Sequence, residues 1–223
     1  MIKLDILQNY AYISSLLLII LIYASYEDLK SRKITTLTFL IMDVILMVYY
    51  IFINWYISIL LIPVIGEYYI KKFSILPYAL IAIPLLFDAS IIVISISYSI
   101  LLIKIFSIVI KNLGRGDIKI LQTIAAAFPI YPHLRIIYSI LPPVIVVMLI
   151  ASLIGIGSGM MLFIENRMER EFRWKFTSIP LSKVKKEYKY WMKKDRAVYK
   201  IPFVTFITFS YTIILILSLL RLV

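Results

Sequence analysis

Long apolar runs, separated by short polar or charged stretches, make up most of this chain. The runs predict eight helical spans, at about 10–26, 35–54, 57–69, 74–87, 91–110, 117–129, 136–164 and 201–220. They are continuous and do not alternate with a period of two residues, which favours helices over the strands of an outer-membrane barrel. The third and fourth runs are shorter than the ~20 residues of a full crossing. A six-span alternative therefore treats these two runs as a re-entrant hairpin.

The composition agrees with a membrane-embedded chain. Of the 223 residues, 62% are hydrophobic, and the mean hydropathy is +0.97. A soluble domain cannot cover that much apolar surface with its own polar residues. No separate soluble domain and no repeat of fixed period is evident in the sequence. We therefore predict an all-α, polytopic membrane protein that forms one domain over 1–223.

Positive charge sets the expected orientation of the spans. The formal net charge is +12, and a cluster of cations at 30–33 follows the first span, so the positive-inside rule places that end in the cytosol and the N-terminus outside. The segment 165–200 holds 12 cations and 5 anions, with apolar residues among the lysines at helical spacing. We predict an amphipathic helix there that lies on the anionic lipids of the inner leaflet. Nucleic-acid binding is the weaker alternative, because no nucleic-acid motif accompanies the charge.

The residue inventory excludes several kinds of site. The chain has no cysteine and a single histidine, His133. Disulfides, thiolate zinc sites, cysteine nucleophiles and multi-histidine metal sites are therefore excluded. We expect a protein that needs neither a metal nor a cofactor, so any catalysis would depend on acidic and basic side chains.

Two aspartates stand out by their positions. Asp28 follows the first span, and Asp117 follows two glycines, Gly114 and Gly116, at the start of the sixth. Both the eight-span and the six-span topologies place an even number of crossings between the two aspartates, so both are expected at the cytosolic face. Each has a simpler interpretation: Asp117 as the N-cap of the sixth span, and Asp28 as a solvated acid among cations. The shared face argues for a common role.

Two carboxylates that share one site cannot easily both ionise, so one of them stays protonated near neutral pH. The ionised carboxylate can take a proton from water, while the protonated one polarises a peptide carbonyl and later protonates the leaving amine. This chemistry is aspartyl peptide hydrolysis. It requires no metal, cysteine or histidine.

Two stretches resemble a known family of membrane peptidases. Gly114-Arg115-Gly116-Asp117, followed by Ile118-Lys119, resembles the GxGD signature of membrane aspartyl proteases. The stretch 28–34, Asp-Leu-Lys-Ser-Arg-Lys-Ile, resembles the D-x-[KR]-x-[KR]-x-I stretch that ends the first helix of type IV prepilin peptidases, most closely in their archaeal preflagellin branch. Thr35 stands where that family has a proline.

The resemblance implies specific roles and a specific substrate. It makes Asp28 and Asp117 the catalytic pair, and it assigns the substrate loop to Gly114, Arg115, Gly116 and Lys119. The expected substrates are precursors of pilin-like and archaellin-like proteins that carry class III signal peptides. Such a signal is a short basic leader followed by a hydrophobic helix, and cleavage between the two would occur at the cytosolic face of the cell membrane.

Other functions are kept open. A protease like presenilin or signal peptide peptidase would carry a tyrosine before the first aspartate, where this chain has Glu27, and a Pro-Ala-Leu motif, which is absent. A small membrane transporter could use the charges of Asp43 and Lys104, and a lipid-binding scaffold could use the segment 165–200. Because buried charges in a membrane are usually paired, we predict an ion pair between Asp43 and Lys104 as a structural strut.

Overall fold

The structure is a computed structural model of the chain. It describes residues 2–31, 34–69, 76–109, 114–131, 141–168, 178–179, 190–193, 196–199 and 202–220. Its α-helices are α1 (Ile2–Ser31), α2 (Thr36–Ser58), α3 (Leu61–Tyr69), α4 (Ala82–Phe87), α5 (Ile91–Val109), α6 (Arg115–Ala127), α7 (Pro143–Met168) and α8 (Phe203–Leu219). A short 3-10 helix, Leu76–Ile81, precedes α4.

The predicted apolar runs correspond to these helices, so the helical fold class is confirmed. The second run was predicted to end at Asn54, and α2 has non-helical torsions at that residue (φ −152°, ψ 94°). The fourth run forms a 3-10 helix joined to the six residues of α4. The seventh helix is described from Pro143, while its predicted start at 136, and His133, lie beyond the described residues.

Four described helices are long and apolar enough to cross a membrane. These segments are Tyr12–Ser31, Thr36–Ser58, Ile91–Val109 and Pro143–Met161. Large apolar side chains point outward from them, among them Ile19 at 65% exposure and Phe52 at 84%, as expected where lipid replaces water at the surface. The fold is therefore compatible with a membrane protein. The count of eight spans and the outward N-terminus stay predictions.

Helix α6 lies at the centre of the bundle. It packs against α1, α2, α3, α5, α7 and α8, and from Ile118 onward most of its residues are buried. Its last turn, Ala125–Ala127, carries only methyl side chains, which lets neighbouring helices approach closely. Because α6 contacts so many helices, its first turn has a defined position relative to the end of α1.

Two hydrogen bonds attach α1 to α8. Tyr211 donates its hydroxyl to the carbonyl of Ser14 over 3.0 Å, and Thr208 donates to the carbonyl of Leu21 over 3.1 Å. On its other side α8 packs against α7, where a side chain at Gly155 would meet the ring of Phe206 at 3.8 Å. These contacts hold α1, which carries Asp28, against the rest of the bundle.

The prediction of a helix over 165–200 is wrong at residues 178–179, 190–193 and 196–199, which form strands. Three short strands, β1 (Ser178–Ile179), β2 (Tyr190–Lys193) and β3 (Arg196–Tyr199), form an antiparallel sheet in the order β1-β3-β2. In the register of β2 and β3, Lys193 is opposite Arg196. β-Branched and aromatic residues favour strands, and this local preference competes with the helical spacing of the apolar residues.

Candidate active site

Asp28 lies one turn before the end of α1 and is buried, with 6% of its surface exposed. Its neighbour Glu27 is bound to the turn that leads into α2. The carboxylate of Glu27 accepts hydrogen bonds from the backbone N–H of Thr35 at 2.8 Å and from its hydroxyl at 2.7 Å. A proline at position 35 could donate neither bond. The pairing of Glu27 with Thr35 therefore fixes the chain that follows Asp28, at the position where this sequence differs from the peptidase family that it resembles.

Asp117 lies in the first turn of α6, but it is not the N-cap. Gly114 takes the N-cap position, and Asp117 is the third helical residue. One carboxylate oxygen of Asp117, Oδ2, accepts the backbone N–H of Gly114 at 3.2 Å. A capping box has two hydrogen bonds, and this one runs from the N-cap N–H to the side chain of the third helical residue. The other bond requires an N-cap side chain, which glycine lacks. It holds the carboxylate against the start of the helix.

The space beside Gly114 is what requires a glycine there, and neither Gly114 nor Gly116 has a positive φ. Gly114 has φ −65° and ψ 142°, which any residue adopts. A Cβ atom at Gly114 would lie 2.7 Å from Oδ2 of Asp117, closer than real contacts allow. A Cβ atom at Gly116 would lie 3.4 Å from Cδ1 of Ile34. Gly114 therefore leaves room for the carboxylate, and Gly116 lets the loop lie against the residue that ends the Asp28 stretch.

The two aspartates interact electrostatically. Burial and, second, the negative charge of Asp28 together raise the pKa of Asp117 to about 7, while the hydrogen bond from the backbone N–H of Gly114 opposes the shift. Asp117 lies in the first turn of α6, at the boundary of the predicted sixth span. Helices α1 and α6 pack together, so the sequence motifs around Asp28 and Asp117 are brought to one place. A carboxyl group that stays protonated near neutral pH can donate a proton, which is what acid catalysis requires.

The two cations of the predicted substrate loop, Arg115 and Lys119, differ in their exposure to solvent. Arg115 is exposed at the start of α6, where it is accessible to a ligand. Lys119 is half-buried, and its ammonium lies 3.8 Å from the centre of the Tyr68 ring in α3, a cation–π contact. Lys119 therefore faces α3, and the charge of Glu67 in that helix acts on it. Its predicted place in the substrate loop gains no support from this geometry.

The predicted ion pair between Asp43 and Lys104 is wrong. Lys104 in α5 pairs with Glu67 of α3, and both side chains are buried. Asp43 is fully buried in α2 and accepts hydrogen bonds from two hydroxyls, Tyr68 at 2.9 Å and Thr123 at 2.8 Å. The position of each residue within its apolar run correctly indicated that Asp43 and Lys104 are buried. It did not give the rotation of the helices about their axes, and that rotation determines which side chains meet.

Sequence reasoning missed Glu67. It lies in the short apolar helix Leu61–Tyr69, where an acid is unusual, and this was a usable signal for the partner of Lys104. Glu67 also accepts the hydroxyl of Tyr78 at 2.6 Å, and Tyr78 accepts from the amide of Gln122 in α6 at 2.8 Å. A second buried polar region therefore lies between α3, α5 and α6, separate from the two aspartates of the candidate site.

Two acids, Asp28 and Asp117, are the ionisable groups that the packing of α1 and α6 brings to the candidate site. Among the residues that the structure describes, no group of three or more histidines, aspartates or glutamates is arranged to hold a metal. Comparisons of the chain with protein-family models, curated proteins and solved structures found no match. What the arrangement offers is one carboxyl group with a raised pKa beside a second, buried carboxylate. Such a pair can activate water and protonate a leaving group.

Proposed function

We propose that this protein is a membrane aspartyl endopeptidase that uses Asp28 and Asp117. The observation that carries the proposal is that α1 and α6 pack together and bring the buried Asp28 near Asp117, whose carboxyl group is held by the N–H of Gly114. Burial and the charge of Asp28 both raise the pKa of Asp117. The residues are 89 positions apart in the sequence, on helices that pack together. A pair of acids with different protonation states is the minimal equipment for metal-free peptide hydrolysis.

In the proposed mechanism the two acids have different roles. Asp28 is the general base: it takes one proton from a water molecule, whose oxygen attacks the carbonyl carbon of the peptide bond. Asp117 is protonated in the resting enzyme and donates a hydrogen bond to the carbonyl oxygen, which carries the developing charge. When the C–N bond breaks, Asp28 gives the proton that it took from water to the leaving amine, and Asp117 keeps its own proton. Each cycle consumes one water and returns both acids to their starting states.

The proposed substrate follows from the place of the acids at helix ends. They lie at the last turn of α1 and the first turn of α6, a level at which only a bond next to the end of a substrate helix can reach them. A basic leader followed by a hydrophobic helix, the class III signal of pilin-like and archaellin-like precursors, has such a bond. We place the site at the cytosolic face, with the N-terminus outside and eight crossings, on the distribution of cations.

Cleavage of a pilin-like precursor in membranes tests the proposal. Asp28→Asn and Asp117→Asn are each expected to abolish cleavage while the protein stays in the membrane at its normal level. Asp88→Asn is the matched control, because Asp88 is also an acid at a helix end and its carboxylate accepts the N–H of Ser90 at 2.9 Å. Cleavage that persists in Asp28→Asn would overturn the proposed mechanism.

A transporter is the second candidate, and one observation favours it. The ion pair of Lys104 with Glu67 is buried, and buried charges in membrane proteins often mark ion pathways. A transporter would move a solute or protons across sealed vesicles, and substitutions at Glu67 would stop that flux. The peptidase is the better-supported proposal, because it accounts for the glycine loop and for both aspartates at once.

A further inference from the structure

A buried chain of hydroxyl and carboxyl groups joins three helices on a different side of α6 from Asp117. Tyr68 of α3 donates to Oδ2 of Asp43 in α2 at 2.9 Å, and the hydroxyl oxygen of Thr123 in α6 lies 2.8 Å from the other oxygen, Oδ1. Asp43 and Thr123 are both fully buried. We propose that Asp43 in its neutral, hydrogen-bonding form is a positioning residue that fixes the rotation of α6 and so places Asp117.

The count of protons favours the neutral acid. The hydroxyl of Thr123 lies within hydrogen-bond distance of two acceptors, Oδ1 of Asp43 and, at 2.9 Å, the backbone carbonyl of Lys119. One hydroxyl proton can serve only one of them. When Asp43 carries its own proton, it donates to Thr123, which then donates to the carbonyl of Lys119, and both contacts are satisfied. When Asp43 is ionised, one of the two contacts lacks a proton.

The surroundings agree with that count. Among the described side chains, Asp43 has no ion-pair partner, because Lys104 pairs with Glu67 and the ammonium of Lys119 lies over the ring of Tyr68. The cation of Lys119 acts on Asp43 from beyond ion-pair distance, so an ionised Asp43 would lose its hydration with only partial compensation. The neutral form avoids that cost and keeps three hydrogen bonds. Asp43 thus acts as a polar connector between helices and not as a stored charge.

The connection sets where Asp117 points. Thr123 is six residues beyond Asp117, which is ~9 Å along the helix axis, and at ~100° per residue the two side chains emerge ~120° apart. A rotation of α6 by ~20° would move a carboxylate that is ~5 Å from the axis by roughly 2 Å. Displacements of about 1 Å can reduce catalysis by ~100-fold. The hydrogen bonds at Thr123 therefore fix the rotation of α6, and this rotation sets the position of the Asp117 carboxyl group relative to Asp28.

The inference rests on the proposed peptidase function, but its test does not require activity. The chain has no cysteine, so Ile34→Cys with Gly116→Cys introduces the only two thiols. A Cβ atom at Gly116 lies 3.4 Å from the Cδ1 atom that Ile34→Cys removes. The rate at which a short bifunctional thiol reagent joins these cysteines in the full-length protein reports the position of the first turn of α6 against the Asp28 stretch.

Substitutions in this cysteine background separate the possibilities. Asparagine keeps both hydrogen-bonding directions of a neutral acid, so Asp43→Asn is expected to cross-link within about twofold of the parent. Asp43→Leu and Thr123→Val each remove a connection and are expected to slow cross-linking roughly three- to tenfold, the range of one net hydrogen bond. Thr212→Val is the matched control, since Thr212 donates at 2.8 Å to Thr208 in its own helix, α8.

Two results would overturn the inference. If Asp43→Asn cross-links as slowly as Asp43→Leu, the charge of Asp43 matters and the neutral form is wrong. If Thr123→Val cross-links like the Thr212→Val control, the chain does not position α6, and this variant decides the question even where Asp43→Leu does not fold. Precursor cleavage is then measured in the cysteine-free protein. Failure of the parent to cleave would refute the peptidase, while cross-linking would still judge the positioning role.

Discussion

Replacing Gly114 with alanine should remove activity without removing the protein. A Cβ atom at this position would lie 2.7 Å from Oδ2 of Asp117, about 0.7 Å inside ordinary contact. The atom that it meets is the end of a short side chain, so the carboxylate can turn away and the backbone need not shift. Turning away breaks the hydrogen bond from the N–H of Gly114. A hydrogen bond between neutral groups contributes roughly 0.5–1.5 kcal/mol, and a displaced acid is no longer aligned with the peptide carbonyl.

The expected loss is therefore specific to catalysis. Misplacement of a catalytic group by about 1 Å costs ~100-fold, so kcat/KM of Gly114→Ala for a pilin-like precursor should fall by about two orders of magnitude. Thermal stability and membrane level should stay near those of the parent. Gly157→Ala is the matched control, because a Cβ atom there meets nothing within 4 Å among the described residues.

The neighbouring glycine provides a graded comparison. A Cβ atom at Gly116 meets Cδ1 of Ile34 at 3.4 Å, at the edge of ordinary contact. Gly116→Ala should therefore cost less than Gly114→Ala, and Ile34→Val, which removes that Cδ1 atom, should restore activity to Gly116→Ala. Cleavage by Gly114→Ala within about threefold of the Gly157→Ala control would refute the claim that Gly114 makes room for the carboxylate.

Three further predictions follow from the site and its surroundings. Asp28→Asn removes a charge that raises the pKa of Asp117, so this pKa should fall from about 7 in an NMR titration of labelled aspartate. An unchanged pKa would show that the two acids do not interact. In the parent, cleavage should decrease as the pH rises through about 7, because Asp117 loses the proton that it shares with the carbonyl oxygen; a rate that increases through this pH would reverse the assigned roles. Lys104→Leu should destabilise the protein by about 3–5 kcal/mol, because it leaves Glu67 buried without its cation. Thermal unfolding should recover with Glu67→Leu as a second change, and recovery with Asp43→Leu instead would refute the described pairing.

The helices could be predicted because each apolar run is bounded by residues that stop a helix or attract water. The predicted fifth run, 91–110, agrees closely with the helix Ile91–Val109. The break of α2 at Asn54 was also visible, since the polar Asn54 precedes the aromatic pair Trp55 and Tyr56. The segment 178–199 was harder, because lysines with interspersed apolar residues match both a helical period and short strands.

The partners of buried charges could not be predicted, because hydropathy gives depth and not rotation. Asp43 and Lys104 are both buried, as expected, but they face different neighbours. The polar residues of α3 determine these partners, since Glu67 forms the ion pair with Lys104 and Tyr68 donates a hydrogen bond to Asp43. At Asp117 the sequence located the helix start but gave the N-cap to Asp117, whereas Gly114 takes that position and Asp117, within the same turn, accepts its N–H.

Helix α6 combines two requirements that normally conflict. A reactive acid needs a polar environment that can exchange protons, whereas a central helix in an apolar bundle must be buried. In α6 the two are graded along the helix: Asp117, in the first turn beside Gly114, is partly buried, and the buried residues of the helix begin at Ile118. The polar residues that do enter the bundle, Gln122 and Thr123, have hydrogen-bond partners on other helices. Because those partners specify one orientation of α6, the first turn can stay accessible and still hold its carboxylate in place.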